Sequence, residues 1–219
     1  MNTHGIRWLA DKPPTRYGYC IHLARGIEAV ELVNRIARGS APVLLGAYTT
    51  EGIETYINSQ GREMAAVRYG THGDLAFTVA HGDWPGELGP GYSNHLSRNS
   101  GEEVFMLYYE SQNPKVPPPE FTFCRDGDYA CGFHMYMHTW SHEVTGPDAA
   151  LVQADIEAAG IHNEDRREIA HRKSLTVIEN RFALTLPMHR ILHDSLSTAL
   201  VQGHHVDPDS TAGAGDWGA

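Results

Sequence analysis

Hydrophobic positions along the chain change period as it proceeds, and the changes divide it into a sheet-forming part and a helical part. From Tyr17 to Ala24 the run Tyr-Gly-Tyr-Cys-Ile-His-Leu-Ala mixes aromatic and branched residues between Pro13-Pro14 and Gly26, which predicts an opening strand. Past Gly26 the apolar residues Ile27, Val30, Leu32, Val33, Ile36 and Ala37 recur at the helical period, and Gly39 supplies a stop with Arg35 and Arg38 in the last turn. Thr49 and Thr50 are placed to cap a short helix reaching Ile57, with Glu51 and Glu54 near its positive end.

The middle third reads differently. Met64 to Tyr69, Leu75 to Ala80 and Val104 to Glu110 are short apolar runs separated by Gly70, Gly73, Gly82, Pro85, Gly86, Gly89 and Pro90, the punctuation of an antiparallel sheet. Asn113-Pro-Lys-Val-Pro-Pro-Pro119 cannot donate regularly to a ladder and reads as a stiff extended connector. Beyond it, Phe121 to Arg125 and Asp128 to His138 flank Asp126-Gly127, a dipeptide that tolerates positive φ at both central positions of a two-residue hairpin turn. That turn places Cys124 opposite Tyr129 and Phe123 opposite Ala130. Thr122, Cys124, Tyr129, Cys131, Phe133, Met135 and Met137 then share the core side, and Phe121, Phe123, Gly132, His134, Tyr136, His138, Trp140 and His142 share the other.

The last third has helical spacing. Thr145-Gly-Pro-Asp148 opens a helix through Leu151, Val152 and Ile156 that Gly160 terminates, a second runs from Asn163 to Phe182, and a third from Pro187 to Val201. Strands followed by helices predict an α+β fold: an antiparallel sheet of short strands with helices packed on one side and a C-terminal helical segment. The expected organisation is one domain over residues 1–202, sheet-rich to 142 and helical over 146–202, with residues 203–219 a turn-rich tail.

Composition narrows the function classes. With 17 Lys+Arg against 27 Asp+Glu the formal charge is -10, and the 17 cations are scattered, so a nucleic-acid or anionic-membrane partner is disfavoured. No apolar stretch approaches the ~20 residues of a membrane span. Met1 is followed by polar residues rather than an apolar leader, so the expected location is cytoplasmic. Cys20, Cys124 and Cys131 match no zinc or disulfide spacing and read as reduced core thiols.

The residues that invite chemistry are His134, Tyr136 and His138, candidates for acid–base roles because imidazole titrates near neutral pH. Together with Trp84 and Trp140 they are also the candidate binding residues, either lining a pocket or standing on a half-exposed sheet face. Residues four apart in a strand lie about 13 Å apart, too far for His134, His138 and His142 to share one ion, so no metal is assigned. His189 and His193 lack the Glu of a His-Glu-x-x-His motif and read as a surface pair. Dinucleotide, P-loop and α/β-hydrolase signatures are absent, and no cofactor is expected.

Tyr19-Cys-Ile-His-Leu-Ala-Arg-Gly26, the Gly73 to Ala80 strand, His95-Leu-Ser-Arg98, Phe121 to Gly127, Gly146-Pro-Asp148 and Ala159-Gly160 together resemble a family of uncharacterised bacterial domain-of-unknown-function proteins common in high-GC soil bacteria. The resemblance spans residues 17–200, implies the fold, and brings no activity with it. The functional expectation is an acidic cytoplasmic recognition domain that binds a basic protein partner or a small molecule, as an inhibitor or self-protection factor would. The alternative is a small accessory enzyme of specialised metabolism whose His/Tyr-lined pocket does acid–base chemistry.

Overall fold

The computed structural model describes residues 5–37, 41–60, 65–82, 94–110 and 119–201. The chain forms an α+β fold around one eight-stranded sheet. Its elements are β1 (Gly18–Arg25), α1 (Ala29–Ile36), β2 (Val43–Tyr48), α2 (Thr50–Ser59), β3 (Ala65–His72), β4 (Leu75–Gly82), β5 (Glu103–Glu110), β6 (Glu120–Arg125) and β7 (Asp128–His134). There follow α3 (Ala150–Ala159), α4 (Arg167–Phe182), α5 (Met188–His193) and β8 (Leu196–Val201). Every pairing is antiparallel, in the order β2-β8-β3-β4-β1-β5-β6-β7.

Alternation along β1 builds two cores. Tyr19, Ile21 and Leu23 face a large apolar layer with Phe77, Phe105, Phe121 and Phe123, closed by Leu175, Ile178 and Phe182 of α4. The Phe182 ring lies 5.1 to 5.4 Å from those of Phe105, Phe121 and Phe123. Each buried ring of this kind stabilises the fold by about 1.5–3 kcal/mol. Cys20 and Ala24 face the other way, where Ala76, Ala80, Val67 and Ala199 make a shallow bed for Leu32, Val33 and Ile36 of α1. Helix α2 rests through Ile53 and Ile57 on Ala66, which alternates with Val67 and so belongs to the face that carries α4. The described helices therefore gather on one side of the sheet, with α1 the exception among them.

Local signals act as their chemistry dictates. Thr49 caps α2 by accepting the Gly52 N–H at 3.1 Å, and Gly160 ends α3 in the left-handed region at φ 64°. Asp126 and Gly127 turn the β6–β7 hairpin with φ of 57° and 93°.

Three expectations are corrected, and one further strand is found. Residues 196–201 are a strand, and the helix expected to reach Val201 stops at His193, because Asp194 turns extended and Leu196-Ser-Thr-Ala-Leu-Val slots between β2 and β3. Val43–Tyr48 is a strand that the hydrophobic pattern did not announce. The β7 strand ends at His134, and residues beyond it turn, with the Thr139 N–H bonded to the Tyr136 carbonyl at 3.0 Å. The hairpin also carries a bulge: Cys124 pairs with Tyr129, but Phe123 pairs with Cys131, leaving Ala130 unmatched. That one extra residue moves Phe121 and Phe123 to the core side, beside Cys131 and Phe133. The bulge is held from outside, where the Ala130 carbonyl accepts the Asp148 N–H at 2.9 Å.

Candidate functional site

The shifted register creates a row of chemically distinct side chains across four strands. Cys20 of β1 stands opposite Tyr108 of β5, Tyr108 opposite Glu120 of β6, and Glu120 opposite His134 of β7. Neighbouring strands are about 4.8 Å apart, so the row extends about 14 Å on the face that carries α1. Helix α1 packs against β3 and β4, to one side of this row. Glu110 adjoins it, accepting a hydrogen bond from the Tyr108 hydroxyl at 3.0 Å. In the next row, His22 lies opposite Met106 and Met106 opposite Thr122.

Burial sets the protonation of the row. The Cys20 thiol is pushed up to about 12 by desolvation, which keeps it a thiol and a poor nucleophile. Tyr108 is raised by burial and then by Glu110, so it remains a hydrogen-bond donor. Burial lifts the Glu120 carboxyl to about 7, against a lowering pull from Thr122, whose hydroxyl donates to it at 3.4 Å. His134 is lowered by burial and stays neutral at pH 7, with a buried Nδ1 that has no hydrogen-bond partner among the described residues. His22 is also neutral, lowered to about 4 by burial and by His95, and its buried Nε2 has no partner among the described residues. Glu120 is thus the member of the row that exchanges a proton near neutral pH.

The structure separates the residues that the sequence grouped. His134 belongs to the row, and the exposed Trp140 ring sits 6.4 Å from it. Tyr136 lies with the opposite core, its ring 6.1 Å from that of His171. There the Tyr19 hydroxyl and His171 Nε2 are hydrogen-bonded at 2.6 Å, with Tyr109 packed 4.7 Å from the same imidazole. Burial lowers His171 to about 4, so the imidazole is neutral within a packed aromatic cluster. His138 is exposed beside His142, at 6.4 Å between rings. The expectation of one His134–Tyr136–His138 face is corrected: a strand would align them, but the turn after His134 disperses them. Trp84, the 113–118 part of the Pro-rich connector and the 203–219 tail lie outside the described residues.

His189 and His193 form an exposed pair on α5, 5.1 Å apart. Among the described residues no cluster of three or more His, Cys, Asp or Glu side chains is arranged to hold a metal ion. A shallow groove between α3 and α4, lined by Asp155, Thr176, Asn180 and Arg181, lies on the helical side and contains none of the row. Glu120 escaped sequence reasoning because it reads as the polar end of Pro117-Pro118-Pro119, with partners far away in the chain. Among the described residues no helix is long and apolar enough to cross a membrane. No protein-family model, curated protein or solved structure matches the chain.

Proposed function

We propose that the protein is a cytoplasmic recognition domain for a basic protein partner, and that the Tyr108–Glu120–His134 row with Glu110 is where a cationic side chain of that partner seats. The observation that carries this reading is the pair of carboxylates. Among the described residues Glu110 and Glu120 are bonded by hydroxyls, at 3.0 and 3.4 Å, and by no cation. Other carboxylates are taken up by cations, Arg25 with Asp74 and Glu103, Arg35 with Glu31 and Glu102, Arg125 with Asp148, Arg172 with Asp11, Arg181 with Asp155. The formal charge of -10 is thus expressed through carboxylates like these two. A guanidinium or ammonium bonded to Glu110 and Glu120 gains charge-assisted hydrogen bonds, and the Tyr108 and Trp140 rings offer it π faces. The same charge balance disfavours nucleic acid as a partner.

An arginine-rich peptide tests the reading. Titration by calorimetry at low salt should give binding that weakens at least about tenfold in the Glu110→Gln, Glu120→Gln double variant and falls steeply with added salt. Equal affinity in wild type and double variant refutes it.

One observation favours a second reading, a small accessory enzyme working by acid–base chemistry: the Glu120 carboxyl titrates at about 7, where a general acid or base is most effective. It replaces the first reading if basic peptides bind irrespective of Glu110 and Glu120.

A further inference from the structure

The two edges of the sheet are finished differently. At β7 the chain returns and covers the edge: the Gly132 N–H donates to the Thr145 carbonyl at 3.1 Å, the Thr145 N–H returns to the Gly132 carbonyl at 2.9 Å, and Asp148 bonds Ala130. At β2, paired on its inner side with β8, no described segment does the same. The strand is nevertheless firmly seated. Leu45 and Tyr48 pack on Ile53, Ile57 and Ala66, and the Tyr48 carbonyl accepts from the buried Arg68 guanidinium at 3.0 Å.

What β2 presents outward is apolar and uncharged. Leu44 is 64 % exposed and Val43 58 %, adjacent on the edge that no described segment covers. Val43-Leu-Leu-Gly-Ala-Tyr48 contains no charged residue and no proline. Open edges in soluble proteins normally carry such residues, because a bare row of N–H and C=O groups templates another strand. A bulge between Leu44 and Gly46 twists the strand and keeps any added pairing short.

We propose that a second copy of this chain occupies the edge, β2 pairing antiparallel with β2 of its partner about a twofold axis so that the two sheets run on as one. Charge selects this occupant. A basic partner finds no carboxylate on β2, whereas two copies of this chain meet along a strand that itself carries no charge to repel its counterpart. Twofold antiparallel pairing also sets each exposed Val43–Leu44 pair against the partner's strand, removing apolar surface from water in both copies.

Sedimentation equilibrium of the full chain over a concentration series tests the proposal. The wild type should move from monomer to dimer mass as concentration rises. Leu44→Lys and Leu44→Glu, tolerated by a monomer in which this side chain is exposed, should each raise the dissociation constant at least about tenfold. An equimolar mixture of the two should associate again, because the introduced charges attract across the axis. Circular dichroism and urea midpoints matching wild type confirm that the variants fold. A wild type that stays monomeric throughout, variants that dimerise as wild type does, or a mixture no tighter than either variant alone would each overturn the proposal.

Discussion

Replacing Glu120 by Gln removes a titrating group and keeps its shape, so the variant isolates what this carboxyl contributes to folding. The folded carboxyl binds its proton at about 7 against an ordinary 4.5. Between those pH values the native state holds the proton more tightly than the unfolded chain. Stability is therefore complete below the ordinary value and is lost as pH rises through about 7. A displacement of this size corresponds to roughly 3 kcal/mol for a fully buried group, and to about 1–2 kcal/mol for a side chain that retains some water. Urea denaturation of wild type and Glu120→Gln at pH 4.5, 6 and 8 measures it. The two midpoints should nearly coincide at the lowest pH, and the variant should gain steadily until it leads by that margin at pH 8. Taking the difference between the two proteins cancels every other titration. A difference that is flat with pH, or a wild type that is the more stable at pH 8, refutes the claim that burial raises this carboxyl. If confirmed, the group costs stability at the pH where cells operate, as expected of a residue kept for binding rather than for folding.

Other outcomes follow from single contacts. Arg68 is fully buried and donates to the carbonyls of Tyr48, Ile191 and Asp194, so Arg68→Met should lower unfolding stability by about 3–5 kcal/mol in chemical denaturation by leaving buried acceptors unmet. Arg68→Lys should recover only part of this, since one ammonium cannot span three carbonyls. Hydrogen bonds from Arg35 and Asn99 hold Glu102 down to about 2, so Glu102→Gln should destabilise the protein at pH 7, with the difference from wild type shrinking as pH falls from 4.5 toward 2. Cys20, Cys124 and Cys131 are buried with thiols pushed up to about 12, so a disulfide reagent at pH 8 should leave the native protein unlabelled and titrate three thiols in denaturant. Calorimetry of a basic peptide should show affinity rising from pH 6 to pH 8, because bound cation favours the ionised Glu120.

Much of the sheet was legible because its signals are local. Gly and Pro punctuation bounded β3, β4 and β5, Asp126-Gly127 fixed its turn, and Thr49 and Gly160 marked helix ends. β2 and β8 were not, because Leu-Ser-Thr-Ala-Leu-Val suits a helix or a strand and only the neighbouring strands decide between them. In the site, His134 stood out by residue type, but Cys20, Tyr108 and Glu120 become its neighbours through three strand pairings that no spacing encodes. A bulge at Ala130 is likewise invisible in a hairpin whose turn is read correctly, and it alone reverses the facing of Phe121 and Phe123.

The position of β8 also orders events at the ribosome. β2 is synthesised early, yet the strand that ties it to β3 is β8, whose first residue is Leu196. At a translation speed of roughly 5–20 residues per second the delay is on the order of ten seconds. Through that interval a nascent chain carries β2 as an uncharged ribbon with both margins unmet, so chaperone capture, or clumping in its absence, should concentrate on polysomes stalled ahead of Leu196.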